Sequence, residues 1–379
     1  MAQQYMTAPK QPPPLNIPSS ASTVKVSCID STARLDIPMA PFLQPDYVGH
    51  DRLLGPCFSF LIEHPSKKPV LFDLAIRKDW DKLPSYPKWV ELKWNINVQK
   101  DVADVLRENS VDVDGGAVDA IIWSHHHWDH VGNPQTFPGS THLVVGPGFM
   151  GAHTPGYPTN KDATLLESDF EGRNVREIDF EKEGNDLKIG RFNALDYFGD
   201  GSFYLLDTPG HSVGHMCGLA RTTTGPDTFI FMGGDASHHG GEFRPTEYLP
   251  LPKELDPPPP KRRGQSICPG HLLQDINPHG SATKPMYYVT SLLSHDKKIA
   301  DWTIDGLGEF DAHENVLLLL AHDDAVVDPP QFDFYPKPLN DWHEKGVAKK
   351  VKWMFLGDLE EAAKAKEKGV QAFAWGQYP

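Results

Sequence analysis

The sequence predicts a layered α/β fold with its functional site at the edge of a sheet. Three observations carry that expectation. Apolar strand, amphipathic helix and apolar strand follow one another over residues 69–123, the signature of an α/β layer. Four apolar runs, 118–123, 203–206, 228–232 and 316–320, each lead into histidine or aspartate. Two strand-rich halves are flanked by helical segments, a pattern compatible with a duplicated sandwich.

Bulk properties narrow the function. The chain has 379 residues, 39% hydrophobic and 23% charged, enough for a sizeable core. A net charge of −15 opposes phosphate backbones and anionic membrane surfaces, which argues against a nuclease. Cys28, Cys57, Cys217 and Cys268 are scattered and form no Cys-x-x-Cys pair, as expected of a reduced intracellular chain. No run is long and apolar enough to span a bilayer, and the N-terminus lacks a basic segment followed by an apolar one. The expected location is cytoplasmic.

Residues 1–22 are rich in Pro, Gln and Ser and read as a flexible arm; 23–379 read as one domain with insertions at 75–95 and 241–282. Within it, 24–29 alternates as an opening strand, and 33–56 reads as irregular because of Pro38, Pro41, Pro45 and Pro56. Residues 57–62 and 69–72 form a hairpin that ends at Asp73, placed to orient a neighbouring histidine. The segment 75–94 carries Trp80, Tyr86, Trp89 and Trp94 and suits a pocket wall. Asn97 is a plausible cap for a helix with Val98, Val102, Val105 and Leu106 on one face. A strand at 141–145 and several short strands between 176 and 206 follow. Proline-rich 241–282, with Pro257 to Pro260, reads as a lid or substrate-binding insertion. Residues 286–299 read as a helix, 351–356 as a last strand, and Asp358 as the cap of a helix over 359–368.

The chemistry concentrates at 121–130, Ile-Ile-Trp-Ser-His-His-His-Trp-Asp-His, an apolar strand ending in four histidines and an aspartate. Imidazole and carboxylate suit divalent transition metals, zinc first among them. The other runs lead to His211, Asp235 and His322. Strand ends along one sheet edge converge. The set of five histidines and two aspartates exceeds the roughly four ligands of one zinc, and fits two ions sharing a bridging group.

The pattern resembles the metallo-β-lactamase superfamily. His125-x-His127-x-Asp129-His130, Pro209-Gly210-His211-Ser212, Gly234-Asp235 and Ala321-His322-Asp323 match its metal motifs in order, over roughly residues 55–330. The resemblance implies a four-layer αββα sandwich with a dinuclear site at the sheet edge. It implies that His125, His127 and His211 hold one metal, that Asp129, His130 and His322 hold the other, and that Asp235 bridges them. Asp73 matches a supporting position. His127 stands where the oxygen-reducing di-iron members carry a carboxylate, and His322 is a ligand that persulfide-oxidising members generally lack. The lactonase-like branch fits best: quorum-quenching acyl-homoserine-lactone hydrolases and fungal-type lactonases and lactamases, including enzymes that detoxify plant benzoxazolinones by opening small lactams. The bacterial lactonases carry a tyrosine three positions after the bridging aspartate, where this chain has His238. Cys217 reads as a core residue, His215 as a structural hydrogen bonder, and His126 and Trp128 as spacers.

The expected activity is therefore hydrolysis of a lactone or γ-lactam through a hydroxide bridging two divalent metals, Zn2+ first and Mn2+ or Fe2+ as alternatives. Asp129 would pass the proton to the leaving group, and His238 would donate to the oxyanion. A thioesterase, glyoxalase II-like or acting on acyl carriers, shares every ligand and stays open, with a metal-dependent nuclease behind it. The expected partner is a small molecule, met by a pocket formed from 75–95 and 237–290, with no nucleic acid or membrane. The oligomeric state is left open, a homodimer included.

Overall fold

A computed structural model describes residues 4–85, 88, 91–255, 270–327 and 330–376. Two sheets face each other. In chain order the strands of the first are β1 (Lys25–Pro38), β2 (Arg52–Glu63), β3 (Val70–Phe72), β4 (Asn95–Asn97), β5 (Ala120–Ile122), β6 (His142–Val145) and β7 (Val175–Glu177). They lie side by side as β4-β1-β2-β3-β5-β6-β7. The second sheet holds β8 (Lys188–Ile189), β9 (Phe192–Asp196), β10 (Phe203–Asp207), β11 (Met216–Thr223), β12 (Thr228–Met232) and β13 (Val316–Leu319), in that spatial order.

Side-chain alternation explains the layering. Along β2, Phe58, Phe60 and Ile62 point into a core shared with Phe203, Leu205, Met216, Ile230 and Leu317 of the second sheet. Their neighbours Cys57 and Leu61 point outward, against Val102, Val105 and Leu106 of a helix at Val102–Glu108. On the far side, Leu219, Phe229, Phe231 and Leu318 pack under Ala300, Ile304, Leu307 and Phe310 of a helix at Lys297–Asp311. Helix, sheet, sheet, helix is the expected αββα sandwich.

Several local expectations change. β1 does not stop at residue 29; its pairing with β2 shifts register between Asp30 and Arg34 and resumes to Pro38. Pro38 ends that strand, Pro56 lies within β2, and Pro41 and Pro45 fall in the connection between the two. Asn97 caps nothing: Asn95–Asn97 is an edge strand on β1, and the helix starts at Val102 behind Asp101. Asp101 and Asp104 form a reciprocal capping box there, which Asn97 could not supply. Residues 286–299 hold a two-residue strand, Tyr288–Val289, and the helix waits for the Asp296 cap. Residues 351–356 are helical rather than extended, the end of Val347–Val351 and a 3-10 turn at Met354–Leu359. A short apolar run does not distinguish these states by periodicity.

The described part of the N-terminal arm, residues 4–22, runs along the body instead of away from it. Met6 N–H donates to Leu251 O, Lys10 N–H to Glu247 O, and Gly190 N–H to Leu15 O. Leu15 is 7% exposed, so an apolar side chain anchors a segment whose composition reads as linker. Residues 257–260 and Cys268 of the expected insertion, with Tyr86 and Trp89, lie outside the described residues. No described helix is long and apolar enough to cross a membrane.

Strand direction places the site. β3, β5 and β6 run parallel, as do β12 and β13, so their C-terminal ends open at common edges. Asp73 follows β3, the histidine cluster follows β5, Asp235 follows β12 and His322 follows β13. His211 follows β10 through a turn that only glycine permits. Gly210 has φ +123°, and a Cβ there would meet the Ala300 backbone nitrogen at 2.2 Å.

Candidate metal centre

The structure brings all seven expected donors together, in two groups. His125, His127, His211 and Asp235 form one; Asp129, His130, His322 and Asp235 form the other. Asp235 is common to both, and its two oxygens divide the work. Oδ1 lies 3.0 Å from His130 Nε2 and 3.1 Å from His322 Nε2. Oδ2 lies 3.6 Å from His211 Nε2 and 3.8 Å from His125 Nε2. In the first group His211 Nε2 is 3.2 Å from His125 Nε2 and 3.0 Å from His127 Nδ1. In the second, Asp129 Oδ2 is 3.4 Å from His322 Nε2.

These separations test whether divalent ions fit. Zinc–nitrogen and zinc–oxygen bonds of about 2.0–2.1 Å put tetrahedral ligands about 3.3 Å apart. The donor separations bracket that value. Among the described residues His130 Nε2 and Asp235 Oδ1, although 3.0 Å apart, are buried without a well-formed hydrogen bond, a costly state that a shared cation removes. The residues fit two ions.

The electrostatics of the two groups differ. His125 is held well below the usual imidazole range by burial and by His130, His127 and His211 around it. Burial likewise holds His127 down at about 4, against the pull of Asp129 and Asp235. Burial also opposes charge on His130, but Asp235, Asp73 and Asp129 outweigh it and raise the group well above its ordinary value. His322 is raised in the same way, against burial, chiefly by Asp235. Metal ligation requires the neutral imidazole, so a cation at His130 and His322 competes with protons for these rings.

A layer of hydrogen bonds aims the donors. Asp73 accepts from Ser124 N–H at 2.6 Å, from Ser124 Oγ–H at 2.8 Å and from His130 Nδ1–H at 2.8 Å. It does so from the left-handed region, φ +59°, which aspartate tolerates better than most residues. Its Nδ1 bond turns His130 Nε2 inward. Pro56 O receives His322 Nδ1–H at 2.8 Å. His215 is no donor to either group: its Nε2 accepts Asp235 N–H at 3.1 Å while its Nδ1 faces Thr208 O at 3.1 Å. Cys217 is buried against Thr208 and Gly233.

His238 is 6% exposed, and among the described residues neither ring nitrogen has a hydrogen-bond partner; Nε2 is 3.4 Å from Asp235 Oδ2. Glu242, which the sequence does not mark, holds the turn beneath it. Its Oε2 accepts His238 N–H at 2.6 Å, His239 N–H at 3.2 Å and Ser237 Oγ–H at 2.8 Å. Ser124 was equally unmarked, although its place between the strand and His125 was the available signal.

The donors open into a cavity of about 310 Å³. Leu35, Ile37, Phe42, Leu53, Trp94 and Trp128 give it an apolar wall. Phe42 links His238 and Trp94, at 5.1 and 6.4 Å between ring centroids, and Trp94 lies 6.1 Å from Trp128. Of the aromatic segment, Trp94 reaches the cavity, whereas Trp80 packs against the core beneath the outer helix. His126 and Trp128 are more than spacers: both line the cavity, and His126 stacks on His153 at 3.8 Å.

Fold and donor arrangement together define a metal-site α/β sandwich. The metallo-beta-lactamase superfamily model matches residues 52–271, and the chain belongs to that superfamily. It is 45% identical over 364 residues to the gamma-lactamase FDB1 of Fusarium pseudograminearum, covering 93% of this chain and 87% of that one. It is also 45% identical over 358 residues to the cytochrome P450 monooxygenase mpaDE of Penicillium roqueforti; the match takes 93% of this chain but only 39% of that protein's length. A solved B. thuringiensis AiiA variant with N-decanoyl-L-homoserine bound at its active site shares the fold, with TM-score 0.54 at 17% identity over 84% of this chain and 99% of that one.

Proposed function

We propose that the protein is a metal-dependent hydrolase that opens a small cyclic ester or amide, a lactone or γ-lactam. The observation that carries this reading is the division of Asp235, one oxygen toward each donor group, at the floor of an apolar cavity. His125, His127 and His211 would hold one divalent cation, Asp129, His130 and His322 the other, and Asp235 both; zinc suits these ligands best, with manganese or iron as alternatives. When bound, two such ions supply a water of lowered pKa and polarise a carbonyl. The 45% identity to a protein named gamma-lactamase supports a cyclic amide or ester.

The chain's own residues do the rest. The aromatic wall of Phe42, Trp94 and Trp128 packs the body of the ring and excludes bulk water. Asp129 Oδ2 takes the proton released as water adds to the carbonyl carbon. It returns that proton to the ring oxygen or nitrogen as the C–O or C–N bond breaks. The His238 ring, with no competing hydrogen-bond partner among the described residues, donates to the carbonyl oxygen as negative charge develops there. Turnover of a lactone, a γ-lactam and a glutathione thioester by metal-replete protein tests the reading. The cyclic substrates are expected to exceed the thioester by about a hundredfold in kcat/KM, the scale of one well-placed pocket contact set. A thioester preference would replace this function with a thioesterase.

A further inference from the structure

His238 is held differently from the metal donors. From 233 to 242 the chain forms no strand or helix, so sheet register does not place this ring. The ring lines the cavity, yet it offers no anchor of its own. Among the described residues neither nitrogen is hydrogen-bonded, and the ring meets Phe42 and His211 at 5.1 and 5.0 Å between centroids.

The backbone is anchored instead, and by one atom. Glu242 Oε2 collects donors from three successive residues, Ser237 Oγ–H, His238 N–H and His239 N–H. The bond from His238 is the shortest of them, 2.6 Å. Glu242 is 2% exposed, and among the described residues its other oxygen, Oε1, has no hydrogen-bond partner. A buried carboxyl is costly unless donors compensate it. Here burial pushes it up, while His238 and the converging donors pull it back. The far end of the turn is fixed. Gly241 O accepts from Met286 N–H at 2.9 Å and Tyr287 N–H at 3.0 Å, and Glu242 N–H closes the turn on His239 O at 3.0 Å. A Cβ on Gly241 would meet Tyr287 Cδ2 at 2.8 Å, so the turn lies close against that segment. Glu242 therefore stands on an anchored base and reaches back to the amide of His238.

We propose that Glu242 is the positioning residue for His238. Its carboxylate fixes the 238 amide, so that the imidazole faces the substrate carbonyl with no hydrogen bond of its own to break. This rests on the ring-opening reading, in which His238 donates to the carbonyl oxygen, and adds the group that sets the donor's place. A ring without partners cannot be preorganised by its own contacts, so its backbone must supply the precision. A displacement of about 1 Å can cost about a hundredfold in rate.

The test follows a lactone and a γ-lactam on metal-replete wild type, Glu242→Ala, His238→Ala and the double variant. Glu242→Ala is expected to lower kcat about ten- to a hundredfold, with KM and bound metal as in wild type. The double variant should be no slower than His238→Ala alone, because the loss acts through the absent ring. Glu242→Gln keeps an oxygen where the three donors meet and sets its NH2 at the unpartnered position, so it should recover most of the loss. An unchanged kcat in Glu242→Ala, losses that multiply in the double variant, a Gln variant as slow as Ala, or loss of metal would each overturn the proposal. Should Glu242→Ala not fold, Ser237→Ala removes one of the three donors and enters the same cycle. A smaller fall in kcat that vanishes without His238 supports the proposal; no fall, or a multiplied one, overturns it. Should wild type open neither ring, the ring-opening reading fails on its own. A crystal structure of the Glu242 or Ser237 variant then decides the positioning. The His238 ring is expected to leave its place 3.4 Å from Asp235 Oδ2, and a ring that stays there would overturn it.

Discussion

The floor and the wall of the cavity are built in different ways. The floor takes its donors from the ends of β5, β10, β12 and β13, where sheet register sets each position. A second layer, Asp73, Ser124 and His215, locks them. The wall is assembled from the end of β1, the start of β2, the loops at 42–50 and 92–94, the turn at 238–240 and the segment 355–358. Reaction chemistry therefore rests on the rigid sheets, and selectivity on segments that can vary without moving them.

That contrast can be broken in order of severity. Asp235→Ala removes the one residue shared by both donor groups, so both ions should be lost and kcat/KM should fall a thousandfold or more, on the order of the loss of a whole metal centre's transition-state stabilisation. Elemental analysis beside turnover checks it; two retained ions would contradict it. Asp73→Asn leaves every metal donor in place but keeps one acceptor oxygen where two now serve Ser124 N–H, Ser124 Oγ–H and His130 Nδ1–H, so one side of that network is left facing an NH2 group. Metal affinity or activity should drop about 10- to 100-fold, read by chelator competition. His238→Ala should lower kcat by about a hundredfold with metal content intact, since it takes only a donor to the developing charge. A fall in bound metal would instead make His238 part of the floor.

Wall substitutions should act on binding. Trp94→Ala removes the ring between Phe42 and Trp128, and should raise KM about tenfold with little change in kcat. Away from the cavity, Asp169 provides a test by pH. Burial pushes its carboxyl up to about 6, with the Arg77 guanidinium at 3.0 Å pulling the other way. Its folded value lies above the unfolded value of about 3.9, so its cost is absent below about pH 4 and grows as pH rises towards 6. Stability from this group falls over that window, and Asp169→Asn should flatten the dependence of Tm on pH. An unchanged slope would count against it.

The floor was legible in the sequence because each donor follows an apolar strand within a few residues, and local pattern suffices to see it. His125, His127, Asp129 and His130 are reached from β5 in one turn of chain. Asp235 and His322 need only the directions of β12 and β13. The wall was legible only in part: Trp94 and the turn at 238–240 line the cavity as expected, but Leu35, Ile37, Phe42 and Leu53 were not marked. Asp358 reads as a helix cap, yet its oxygen meets His239 from 119 residues away. No periodicity encodes such a contact. The helix boundaries at 97 and 286 were misplaced because aspartate caps at 101 and 296 override weak apolar spacing. The proline-rich arm read as free because composition does not reveal the groove that receives Leu15.

The central claim is that two cations shared through Asp235 perform the reaction. Metal-stripped wild type, titrated with zinc while turnover of a lactone and a γ-lactam is followed, tests it most directly. Activity should rise with added metal and level off at two equivalents per chain. Full ring opening by the stripped protein, or a plateau at one equivalent, would contradict it.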